Sequence, residues 1–174
     1  MRGAARKGGP YRNQDRDMAG NPEARFGIKT HTRPGSKTLA QRYSILAGVF
    51  YVALGVIGFY RTGFGSGPDP MNQMLFGIFM VNPFHNTIHL VVGLLWLLGG
   101  FVLTAAGTEG LNLAIGTFWT LATVLGFLGY LSALAANSGA TPDNFLHLGT
   151  ALVTLVFGAS LLRALSGSGR AATT

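Results

Sequence analysis

Two short stretches of this chain set an amide and an imidazole three residues apart at the head of an apolar run. They are Asn86-Thr87-Ile88-His89-Leu90 and Asn144-Phe145-Leu146-His147-Leu148. Each follows a helix-start signal, Asn82-Pro83 in one case and Thr141-Pro142 in the other, where a capping side chain precedes a proline whose missing N–H is not needed in the first turn. Imidazole and amide groups are costly in hydrocarbon and are expected to face protein, ligand or water. Three uses of them stand open. Two neutral imidazoles on facing helices, His89 and His147, can ligate a haem iron, and one alone can hold a chlorophyll magnesium. His85 and His89, at i and i+4, share one side of a helix, and with His147 and Asp143 they make a three- or four-ligand zinc set. In the favoured expectation the groups hydrogen-bond across the bundle, as an intramembrane polar network of His85, Asn86, His89, Asn144 and His147. Such bonds contribute about 0.6–2 kcal/mol each and fix register. That reading requires no cofactor and no metal, and bound lipid is expected.

The elements that position these residues follow from composition. Of 174 residues 48% are hydrophobic and only 11% charged, with 26 glycines, a profile of one small integral membrane domain rather than a soluble globule. Four charge-free apolar segments run over Tyr43–Tyr60, Phe84–Thr104, Leu111–Leu134 and Asn144–Leu162. The shortest reaches about 27 Å as a helix, enough to cross the hydrocarbon core. The expected fold is therefore all-α and integral to the membrane, with four transmembrane helices in two similar hairpins. The first run, beginning near Ser44, is expected to be a permanent helix rather than a cleaved leader. The absence of cysteine excludes disulfides, thiolate metal sites and iron–sulfur clusters.

Charge sits at one end. Residues 1–42 hold ten Lys/Arg and three Asp/Glu, a balance of +7, while Arg61, Arg163 and Arg170 balance Asp69, Glu109 and Asp143 in the rest. By the positive-inside rule the N-terminal arm is cytoplasmic, and four crossings return the C-terminus to the same side. The expected organisation is a basic arm over 1–41, a transmembrane domain over 42–165 and a short cytoplasmic tail over 166–174. Arg2, Arg6, Lys7, Arg12, Arg16, Arg25, Lys29, Arg33 and Lys37 are the candidate docking residues of the arm, for anionic lipid or a larger membrane complex. Nucleic acid is not an expected partner.

The longest internal loop, Arg61–Pro83, carries the apolar stretch Met74–Val81, too short to span and expected to form an interfacial or re-entrant helix. A wider duplication is also visible. A shift of 68 residues pairs Gly48 with Gly116, Tyr51 with Trp119 and Gly58 with Gly126; a shift of 58 pairs Asn86 with Asn144, His89 with His147, Gly93 with Ala151 and Gly100 with Gly158. His89, Gly93 and Gly100 fall within about 40° on one helix face, so the glycines leave room beneath the imidazole either for a macrocycle or for a close helix. No span, so bounded, contains Asp or Glu, which counts against coupled transport. No Ser or Thr has a visible base and orienter, which counts against nucleophilic catalysis and an enzyme. Trp96, Trp119 and most of the twelve Phe are expected to pack or to face lipid.

The segment Phe79-Met80-Val81-Asn82-Pro83-Phe84-His85-Asn86-Thr87-Ile88-His89-Leu90-Val91-Val92-Gly93 resembles the signature Val-Asn-Pro-x-His-Asn-x-x-His-Leu of a bacterial four-helix membrane family, domain-of-unknown-function family 4383, over about residues 40–165. That resemblance implies a prokaryotic cytoplasmic or thylakoid-type membrane and no assigned activity. The basic leader is longer than the family pattern, which points to a non-catalytic accessory subunit recruited to a larger assembly, respiratory or photosynthetic.

Overall fold

The computed structural model describes residues 37–65, 73–136 and 139–171, with side chains described as far as 159. Helix α1 spans Leu39–Thr62. It opens on a reciprocal cap in which the Gln41 N–H donates to Thr38 Oγ1 and the Thr38 N–H to Gln41 Oε1, satisfying two groups that no helical turn can pair. A two-stranded hairpin follows, β1 over Gln73–Leu75 and β2 over Phe79–Val81. Helix α2 (Pro83–Phe101) begins where Asn82 Oδ1 accepts the His85 N–H at 2.8 Å, with Pro83 in its first turn. Helix α3 (Ala105–Phe127) is capped by Thr104. A short 3-10 turn, Ser132–Leu134, leads to helix α4, Pro142–Ala171, whose Asn144 N–H donates to Thr141 Oγ1. Both Asx/Thr-Pro starts therefore open helices where expected.

Three of these helices, α1, α2 and α3, are long and apolar enough to cross a membrane. Their outer surfaces carry Leu46, Val56, Leu94 and Leu121 largely exposed, while Ser44, Asn86, Asn112 and Asn144 are fully buried. Apolar outside and polar inside is the pattern of a bundle solvated by lipid. α1 packs chiefly on α2 and α3 chiefly on α4, around a core of Tyr51, Trp96, Ile115, Trp119 and Ala151.

The close approaches rest on small residues at matched places. A Cβ at Gly48 would meet Leu97, and one at Gly116 would meet Leu155; one at Gly100 would run into Ile45, and one at Gly158 into Leu113. Gly58 lies under the Asn86 side-chain oxygen as Gly126 lies under that of Asn144, places where any side chain would hold the two helices apart. At the free end of each Asn, Nδ2 donates to Thr62 Oγ1 from Asn86 and to the Gly139 carbonyl from Asn144, both at 2.8 Å.

Three expectations change. Residues 74–81 form strand and turn, not helix: Phe76 and Gly77 both take positive φ, 54° and 70°, and the Ile78 N–H closes the turn on the Leu75 carbonyl at 3.1 Å. Eight apolar residues serve either structure, and the left-handed pair decides for the hairpin. The second and third helices also end earlier than their apolar runs. Thr104 caps α3 instead of ending α2, and α3 stops at Phe127 in a Schellman turn, with Gly129 at φ 84° and the Tyr130 N–H on the Leu125 carbonyl. Beginning at Ala105, α3 takes in Glu109, which is buried, so a carboxyl does lie within a spanning helix. Trp96 and Trp119 pack in the core, one of the two places expected for them.

Candidate metal centre

The cap at Asn82 sets the phase of α2, so that His85 and His89, one turn apart, both point between the helices. The Thr141–Pro142 start sets α4 so that His147 meets them. The imidazole centroids lie 4.4 Å apart for His85–His89, 5.7 Å for His85–His147 and 6.1 Å for His89–His147. All three side chains are buried, at 2–3% exposure. Each offers one nitrogen such that the three atoms lie within 4.8 Å of one another.

The His85 ring meets the backbone of both Met80 and Leu134, with Nδ1 3.2 Å from the Met80 carbonyl oxygen. Both nitrogens of His89 and of His147 are buried without a hydrogen-bond partner. The cross-bundle hydrogen bonds expected for His89 and His147 are thus not formed, and the convergence of three rings replaces them. A neutral imidazole has one N–H and one lone pair. Its Nδ1 facing a carbonyl, His85 carries the proton there and keeps its Nε2 lone pair for a ligand, an orientation common in metal-binding histidines.

Aromatic rings wall the cluster. Trp119 stacks on His147 at 4.5 Å and lies 6.1 Å from His89; Tyr51 stands edge-on to His89 at 5.1 Å, its hydroxyl 2.7 Å from Thr150 Oγ1. The β-hairpin closes the end. Met80 of β2 presents its carbonyl to His85 on α2 and its N–H to Asp143 Oδ2 on α4, the latter at 3.1 Å. Asp143, just ahead of the fourth apolar run, is therefore held by β2 and is not among the clustered ligand atoms. Burial pushes its carboxyl up to about 6, against the Met80 N–H that favours the charged form.

The remaining candidates sort by position. Asn86 and Asn144 lock each helix pair through Gly58 and Gly126 and do not join a network with the imidazoles. The space beside Gly93 and Gly100 is filled by Val52 and Ile45 of α1, so these glycines serve helix contact and leave no breadth for a macrocycle. Of the docking residues, Lys37 alone is described: its Nζ donates to the Gly100 carbonyl at 2.9 Å and sits 4.9 Å above the Phe101 ring, a cation at a helix C-terminus. Arg2, Arg6, Lys7, Arg12, Arg16, Arg25, Lys29 and Arg33, and the tail over 172–174, lie outside the described residues. Tyr51, Trp119 and Thr150 are not among the sequence candidates for the site. Spacing along a single helix offers no signal for them, although the pairing of Tyr51 with Trp119 under the 68-residue shift does mark those two as equivalent positions.

The family model described as domain of unknown function (DUF4383) matches residues 41–160. No curated protein and no solved structure matches the chain.

Proposed function

The chain belongs to the DUF4383 family, and we propose that it is a multi-pass membrane protein that binds one late first-row transition-metal ion between its helices, through His85, His89 and His147. One observation carries this reading: all four ring nitrogens of His89 and His147, which converge with His85, are buried without a hydrogen-bond partner. A buried polar atom left unpaired costs about 1–3 kcal/mol, and a cation that accepts one lone pair from each ring offsets that cost at one nitrogen of each. Imidazole nitrogen is a good donor to zinc, copper, iron and nickel. Bonds of about 2.0 Å require donor separations of about 3.3–3.5 Å, so binding draws the nitrogens inward from their 4.8 Å limit, a side-chain adjustment within the existing bundle.

The surrounding architecture supports the same reading. With α4 as a fourth span, the chain is two hairpins descended from one, and the matched contacts of Gly48 with Leu97 and Gly116 with Leu155 obey the same 68- and 58-residue shifts as the sequence. Each hairpin then brings its Asn-x-x-His to one depth, and the first adds His85. An accessory role in a larger complex rests on the N-terminal arm outside the described residues, and transport on the buried Glu109; neither has a geometric argument of comparable reach. The test is metal content and titration of the purified full chain. Wild type is expected to take up one equivalent with quenching of Trp119 fluorescence, and His89→Ala to bind far more weakly. A wild-type protein that binds none of Zn²⁺, Co²⁺, Ni²⁺ or Cu⁺/Cu²⁺ sinks the proposal.

A further inference from the structure

Resting on that metal-binding reading, we infer that the three-histidine site selects a monovalent soft ion, Cu⁺, over divalent zinc, cobalt or copper. The argument is one of charge. The ligands are three neutral imidazoles, and no carboxylate joins the clustered ligand atoms among the described residues; the chain has no cysteine to supply a thiolate. The closest acidic side chain on the same helix, Asp143, spends Oδ2 on the Met80 N–H. A bound ion therefore receives no negative charge from its ligands. The cost of taking a charge from water into a low-dielectric interior grows with the square of that charge, so a divalent ion meets about four times the penalty of a monovalent one.

Ligand number and walls point the same way. Cu⁺ is content with three nitrogen donors in a plane, whereas zinc completes a tetrahedron with a fourth ligand, a water or a carboxylate. Here the flanks are rings: Trp119 on His147 and Tyr51 against His89. Neither ring supplies an anionic donor, so neither neutralises the charge of a bound ion. The site thus has aromatic walls where a zinc centre has a water or an anionic ligand, and imidazole is a good donor to copper. No change of oxidation state is part of the inference: the ion enters and stays as Cu⁺.

The experiment is a competition on the full chain in lipid nanodiscs, under anaerobic conditions with ascorbate for the Cu⁺ arm. Cu⁺ is offered from its bicinchoninate complex, whose colour reports transfer, and Zn²⁺ and Co²⁺ are titrated separately. The expected result is one Cu⁺ per chain, held at least about 100-fold more tightly than Zn²⁺, with no tetrahedral Co²⁺ absorption band. A charge-changing variant tests the cause: His147→Glu supplies an anionic donor in the same place and is expected to move the Cu⁺:Zn²⁺ preference at least tenfold toward zinc. Zn²⁺ or Co²⁺ bound as tightly as Cu⁺ by wild type overturns the inference and leaves the metal site standing. An unchanged preference in His147→Glu that still binds metal overturns the charge argument. Absence of any metal binding overturns the site itself.

Discussion

Two polar layers lie buried in this bundle, and they are built on opposite terms. Toward the end where α1 begins, the groups pair with one another. Ser44 Oγ and Trp96 Nε1 both donate to Asn112 Oδ1, at 2.9 and 3.2 Å, and Thr108 Oγ1 donates to the Gly99 carbonyl at 2.7 Å. Thr154 gives its proton to the Thr150 carbonyl, so the Tyr43 hydroxyl donates to Thr154. Only the Asn112 Nδ2 among these is without a partner. Toward the β-hairpin end, three imidazoles converge and the four ring nitrogens of His89 and His147 have none. Equal burial with unequal satisfaction separates polar groups that hold helices together from polar groups kept for something else.

The comparison breaks most sharply on metal affinity. His89→Ala is expected to lower affinity by at least about 100-fold, since it removes one of three ligands, whereas Asn112→Ala should leave it within about threefold. Titration followed by Trp119 fluorescence reads both, because Trp119 stacks on His147 and Asn112 bonds Trp96 instead. Equal losses in the two variants would erase the distinction.

Next in size are the contacts that hold both layers in place. Gly58→Ala drives a methyl into the Asn86 side-chain oxygen and is expected to destabilise the protein by about 2–4 kcal/mol, at the high end for overpacking. Gly149→Ala, on α4 with open space beside it, is expected to gain up to about 1 kcal/mol from helix propensity alone. Thermal unfolding in one detergent, compared between the pair, checks the sign of each.

Smaller, and of opposite sign in the two layers, is the effect of removing a polar group from the metal-free protein. His89→Leu replaces a ring with two unpaired nitrogens by an apolar side chain, and a gain of about 1 kcal/mol is expected. Asn112→Leu orphans Ser44 and Trp96 and should cost about 1–2 kcal/mol. Chelator-treated protein in a denaturation series distinguishes them; a loss in His89→Leu as large as in Asn112→Leu would make the imidazoles ordinary structural groups.

Much of the satisfied framework was legible in the chain. The Asn82-Pro83 and Thr141-Pro142 starts are local signals, and the glycine spacing carried the helix contacts, because close approach depends on residue size alone. The unsatisfied layer was legible only in part. The spacing of His85 from His89 puts both on one helix side, but the burial of His85 depends on β2 folding over it, and β2 depends on the positive φ of Phe76 and Gly77, which an apolar octet does not announce. The meeting of His89 with His147 depends on the distance between α2 and α4, a tertiary quantity that no spacing along one helix contains. Glu109 was set outside the third span because the apolar run begins at Leu111, whereas the helix begins where Thr104 caps it.

The smallest expected effect concerns the strand that joins the two His-bearing helices. The Asp143 carboxyl, pushed up to about 6 from an ordinary 3.8 by burial, is easier to protonate in the folded state than in the unfolded one. Its contribution to stability is therefore complete below about pH 3.8 and declines as pH rises through about 6, the reverse of a salt-bridged carboxylate. Solvent at the bundle end screens part of that shift, and the loss expected across this window is about 1 kcal/mol. Asp143→Asn cannot ionise yet keeps an oxygen for the Met80 N–H, so its stability should stay flat over the same range. Unfolding measured from pH 4 to pH 7 on both proteins decides the point: parallel curves would mean that Asp143 ionises without penalty, and that β2 is anchored to α4 by something other than a carboxyl that burial keeps from ionising.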